Sequence, residues 1–75
     1  MNFDIELEQE ADGRWIAEIS EIPGALVYGL TPMQAAAKVK ALALRVLAER
    51  MESEVSIPGI NNIAFINHYE SMAVC

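Results

Sequence analysis

The first nine residues alternate almost without exception. Phe3, Ile5 and Leu7 fall on one parity and Asp4, Glu6 and Glu8 on the other, the pattern of a strand with one face buried and one wet. Arg14 to Ile19 alternates again, with Trp15, Ala17 and Ile19 opposed to Ile16 and Glu18. Ala11-Asp12-Gly13 between them is a hairpin signal. The pattern also decides the length of the loop. Two loop residues would pair Leu7 with Glu18 and put carboxylates among the core side chains. Three, with Gly13 left-handed, pair Leu7 with Ala17 and Ile5 with Ile19. Because a one-residue slip inverts every side chain, only the three-residue loop keeps the apolar set together. It also places Glu6 opposite Glu18, which is locally unfavourable, and Glu10 opposite Arg14.

Glu21-Ile22-Pro23-Gly24 is a turn signal, and Ala25 to Leu30 reads as a third short strand with β character from Val27 and Tyr28. Gly29, just before the next element, implies a close approach of backbone. The helix then opens at Thr31-Pro32-Met33-Gln34. The Thr31 hydroxyl can accept from the Gln34 N–H while the Gln34 side chain reaches back to the Thr31 N–H, a capping box. Pro32 takes the first helical position, where a missing N–H costs nothing. Good helix formers continue to about Ser53. Gln34, Lys38, Arg45, Glu49 and Glu52 share one side, and Ala36, Val39, Ala43, Val46 and Leu47 lie opposite. Met33, Ala37, Leu44 and Met51 form a second apolar flank. It is either part of a broad core stripe or a surface that a second subunit covers.

After Pro58-Gly59, Ile60 to Ile66 reads as a fourth strand. The unbroken run Ile63-Ala64-Phe65-Ile66 predicts burial on both of its faces. One helix covers one face, so a second subunit is expected on the other. Leu44, Met51, Ile63 and Phe65 are accordingly candidate oligomer-interface residues. A meander followed by a right-handed crossover sets the fourth strand parallel to the first. The expected fold is α+β: a β-β-β-α-β unit with one long helix on one face, a single domain over residues 1–70, and a loosely ordered tail over 71–75.

Composition sharpens this picture. Seventy-five residues make one domain of marginal stability, and 53% hydrophobic content is high for so short a chain, which self-association would absorb. Cys75 is the sole cysteine, so no intrachain disulfide forms. No apolar run reaches the length of a membrane span, and a cytoplasmic location is expected. The charge of −6 is uneven: residues 1–24 carry seven carboxylates against Arg14, whereas the helix is net +2. An acidic front half opposes phosphate binding and suits a basic partner.

The outer strip of Asp4, Glu6, Glu8 and Glu18 is therefore either a solvated sheet face or a docking surface for a cationic partner. Carboxylates alone suit Mg²⁺ or Ca²⁺, but these are strung along one strand rather than converging, so no metal or cofactor is expected. His68 beside a strand end reads as structural. A nuclease would need carboxylates converging on metal ions, and no constellation completes one, so no catalytic residue is assigned.

The ordered set Asp12-Gly13-Arg14-Trp15-Ile16-Ala17, Ile22-Pro23-Gly24, Tyr28-Gly29-Leu30-Thr31 and Gln34-Ala35 resembles the HicB family of antitoxins, over residues 3 to about 50. Within it Asp12, Gly13, Trp15, Pro23, Gly24, Gly29, Thr31 and Gln34 carry the pattern. Ile22 stands where Leu is usual, Gln34 where Glu is, and Ser20 where Pro is common. The resemblance implies a partial RNase-H-like unit that oligomerises. The implied partner is HicA, a small basic mRNA-cleaving toxin, whose RNA surface or active histidine the antitoxin blocks. Many members add a DNA-binding module at the C-terminus. Only nine residues follow Ile66 here, so neither such a module nor direct nucleic-acid binding is expected. A solitary HicB-like homo-oligomer with a structural or small-molecule role is the alternative that the same features allow.

Overall fold

The computed structural model describes residues 1–53 and 62–70. Its elements are β1 (Asn2–Gln9), β2 (Trp15–Glu18), β3 (Leu26–Gly29), α1 (Pro32–Ser53) and β4 (Ala64–Glu70). They form one four-stranded sheet in the order β3-β2-β1-β4, with β1 parallel to β4 and the other neighbours antiparallel. With α1 against one face, this is the expected α+β unit.

The hairpin register follows the pattern of side chains. Leu7 pairs with Ala17 and Glu6 with Glu18. The Glu10 N–H donates to the Arg14 carbonyl at 2.7 Å across a three-residue loop in which Gly13 has φ +93°. Asp12 fixes the loop by accepting from the Arg14 backbone N–H at 3.0 Å and from its guanidinium at 2.7 Å. Those two donors, the backbone one first, hold the Asp12 carboxyl below its usual value.

Phe3, Ile5, Leu7, Ala17 and Ile19 face α1 and are buried with Ala35, Ala36, Val39, Ala43 and Leu47 of the helix. The β2–β3 turn adds two more core side chains, Ile22 and Ala25, around Gly24 at φ +83°. Trp15 lies on the same inner side as Leu7, packed on the core and edge-on to Tyr69 at 6.4 Å. A Cβ on Gly29 would stand 2.6 Å from the Ala35 nitrogen, so its lack of a side chain is what lets β3 run directly under the first turn of α1.

Two expectations are corrected. The Thr31 hydroxyl accepts from the Gln34 N–H at 3.0 Å as in a capping box, but the Gln34 amide oxygen takes the Leu30 N–H at 2.7 Å, one residue before the expected donor. Leu30 is the first residue past the β3 ladder, and the side chain satisfies that donor instead.

The larger correction concerns the last strand. It runs from Ala64 to Glu70, four residues later than expected at each end, and Ile60 lies outside the described residues, as does the 71–75 tail. Parallel pairing with β1 sets Phe3 beside Phe65, stacked at 5.8 Å, and carries the ladder through Asn67, His68 and Tyr69. Phe65 and Asn67 are therefore half-buried beside the core. Ala64 and Ile66 point to the other side, Ile66 with 45% of its surface exposed. Among the described residues the strand is covered on its inner face alone, the case in which a second subunit was expected on the other. Hydrophobic runs in isolation do not fix strand ends; the register against a neighbour does.

Candidate protein-interaction face

Among the described residues, none covers the sheet face opposite α1. The ladders place its residues in rows across the four strands. One row runs Leu26, Glu18, Glu6 and His68; the next runs Tyr28, Ile16 and Glu8; below them lie Asp4 with Ile66 and Asn2 with Ala64. The four carboxylates expected to share a surface, Asp4, Glu6, Glu8 and Glu18, are indeed exposed together on it.

The strip is not a carboxylate surface alone. Leu26 and Tyr28, both more than 40% exposed, and the half-buried Ile16 form an apolar patch on the β2–β3 side, and Ile66 lies on the β4 side. Ile16 was readable from its shared parity with Glu18. Leu26 and Tyr28 join the face only through their pairing with Glu18 and Ile16, which no local pattern announces. The Arg14 guanidinium, already held by Asp12, lies over the Tyr28 ring at 4.5 Å.

Charge on this face is weakly compensated. Glu6 and Glu18 oppose each other across the ladder, a pairing that costs stability. At the β4 side, His68 Nε2 is 3.0 Å from Asp4 Oδ1. The hydrogen bond to Asp4, then the Asp4 and Glu6 charges, raise the imidazole pKa above its usual 6.5 against a smaller opposing effect of desolvation. His68 is thus a strand residue partnered across the sheet, in keeping with a structural role. Among the described residues no group of three or more His, Cys, Asp or Glu could hold a metal ion, and no helix is long and apolar enough to cross a membrane.

The proposed oligomer residues separate. Leu44 and Met51 project from α1 with about half their surface exposed, 47% and 54%. Ile63 and Phe65 pack on the chain's own core. The motif residues Asp12, Gly13, Gly24, Thr31 and Gln34 occupy turns or the helix start and Gly29 ends β3 under that start, where each has a local structural task.

Comparison of the chain with protein-family models, with curated proteins and with solved structures gives no match.

Proposed function

We propose that this chain is a HicB-like antitoxin that neutralises a small basic RNA-cleaving toxin of the HicA kind by protein–protein contact. The ordered motif set in the sequence supports this, as does an α+β unit with the β-β-β-α-β succession of elements that the resemblance implies. The observation that carries the reading is the uncovered sheet face, on which Asp4, Glu6, Glu8 and Glu18 stand beside Ile16, Leu26 and Tyr28. Carboxylates steer a cationic protein and set its orientation, while exposed apolar side chains supply contact that survives screening. A nucleic-acid backbone would be repelled by the same surface. The role assigned here is binding, not catalysis.

Isothermal titration against a HicA-type toxin tests the reading. Tight binding that weakens at least tenfold in Glu6→Lys/Glu8→Lys at low salt, with a smaller difference at high salt, is the expected result. No binding by the unaltered chain would defeat the proposal. Unchanged affinity in the double variant would move the contact off this face.

A further inference from the structure

The parallel ladder seats the chain's single histidine, His68, among the carboxylates of the sheet face opposite α1. Glu6 is its partner across the ladder, and its Nε2 lies 3.0 Å from Oδ1 of Asp4, two residues away on the same side of β1. An ionised carboxylate can only accept, so Nε2 donates in this bond whether the ring is neutral or charged. The titrating proton is therefore the one on Nδ1, and the half-exposed side chain exchanges it with solvent. The charged residues that the ladders set around His68 are all acidic. They are Asp4 and Glu6 on β1 with Glu8 beyond them, Glu70 two residues along β4, and Glu18 one strand further in the Glu6 row. No lysine or arginine occupies a ladder position on any of the four strands, and α1 with its cations packs against the other side of the sheet.

Protonated His68 is thus a counterion for the same carboxylates that would receive a basic partner. We infer that a cationic partner and this proton compete for Asp4 and Glu6, so that docking on the face releases the proton from His68 and strengthens as pH rises. The inference rests on the reading of this face as a surface for cations and adds its regulation. A guanidinium or ammonium brought to Asp4 and Glu6 supplies the charge that the imidazolium supplies, and two cations held side by side repel. The coupling is reciprocal: the factor by which protonation weakens docking is the factor by which docking weakens protonation. The free protein sets the sign. In it the Asp4 hydrogen bond holds His68 above its ordinary 6.5. Below that raised value the imidazolium occupies Asp4, and above it the ring is neutral and the carboxylates keep their full charge for a partner. Both groups are half exposed, so the effect belongs at the low end of such couplings, about fivefold in affinity at low salt.

A hexa-arginine peptide serves as the cationic probe, so the test needs no toxin. Its affinity for the full chain is measured at low salt at about pH 5.5 and about pH 8.5, on either side of the histidine range. Arginine keeps its charge throughout, so a change in affinity comes from the protein. The parent is expected to bind about fivefold more tightly at the higher pH, and the His68 ring pKa, followed by NMR, to fall when the peptide is added. His68→Gln, folded by circular dichroism, is expected to bind as the parent does at high pH and to lose the pH dependence. A dependence that persists undiminished in His68→Gln belongs to the carboxylates and overturns the inference. So does a ring pKa that the peptide leaves unmoved or raises, or a parent that binds the peptide at neither pH. A folded His68→Gln protein that binds poorly at both values overturns it as well, because the histidine would then be a strut of the face and not a competitor. Failure of a HicA-type toxin to bind, measured separately, would sink the antitoxin reading and leave the peptide result untouched.

Discussion

His68 and Asp4 are joined across the parallel β1–β4 ladder, imidazole Nε2 to carboxylate Oδ1 at 3.0 Å, although 64 residues separate them in the chain. The pair closes the acid-rich face at its β4 side and puts a titratable cation at its margin. Protonation of His68 makes the face less anionic by one charge.

The pH dependence follows from the direction of the His68 shift. Its folded-state pKa is raised above 6.5 by the Asp4 hydrogen bond and then by the Asp4 and Glu6 charges. The folded state therefore holds the proton more tightly than the unfolded one. The resulting stabilisation is fully present below about pH 6.5 and is lost as pH rises through the raised value. An NMR titration of the His68 ring is expected to give a pKa above 6.5 that drops in Asp4→Asn. An equal pKa in both proteins would remove the pair from the account.

Gly29 and Gly13 are required for different reasons, and substitution separates them. Gly29→Ala places a methyl 2.6 Å from the Ala35 backbone nitrogen. Backbone cannot swing aside as a side chain does, so α1 must lift from β3, at a cost of about 1–3 kcal/mol or more. Gly13→Ala meets no atom but must hold φ +93°, a penalty of about 1–2 kcal/mol. Denaturant unfolding should rank Gly29→Ala as the more damaging of the two.

The helix start offers a smaller, separable effect. Thr31→Ala deletes the acceptor for the Gln34 N–H and should cost about 1 kcal/mol, with Thr31→Ser recovering most of it. Thermal unfolding in which the Ala and Ser variants are indistinguishable would mean that solvent replaces the cap without loss.

The elements within residues 1 to 53 were readable because the local rules for them pointed the same way, although Gln34 takes the Leu30 N–H rather than that of Thr31. The parity of Phe3, Ile5 and Leu7 fixed the inner face, its match to Ala17 and Ile19 fixed the loop length, and Thr31-Pro32 fixed the start of α1. β4 failed the same treatment for a physical reason. Its inner positions are Phe65, Asn67 and Tyr69 and its outer ones include Ile66 and His68, so polarity along the strand does not report its orientation. Its ends depend on partners more than sixty residues away. The face was half legible for the same cause: the carboxylates belong to one alternating segment, whereas Leu26, Tyr28, Ile66 and His68 reach it only through pairing between strands.

Two leucines three residues apart on α1 distinguish core from surface. Leu47 is buried, and Leu47→Ala should cost about 2–5 kcal/mol of stability. Leu44 is 47% exposed, and Leu44→Ala in a dilute, monomeric sample should change unfolding by no more than about 0.5 kcal/mol. If a second copy covers this stripe, the same Leu44→Ala change should lower the apparent stability of concentrated samples, because a contact made only by the folded state is linked to folding by mass action. Concentration-independent unfolding for both the parent and Leu44→Ala would show that the exposed stripe carries no contact.

The facing pair Glu6 and Glu18 yields a prediction in which stability and binding change in opposite directions. Across one ladder position, like charges cost about 0.2–1 kcal/mol relative to neutral residues. Glu18→Lys converts that repulsion to attraction and should raise the melting temperature by several degrees for a domain this small. Salt screens an exposed pair, so most of the gain should vanish near 1 M salt. If the face exists to receive cations, the same substitution must weaken capture of a basic partner. A Glu18→Lys protein that is stabler at low salt and yet binds less would identify the repulsion as a cost retained for recognition. A variant stabilised with undiminished binding would identify it as an ordinary surface mismatch.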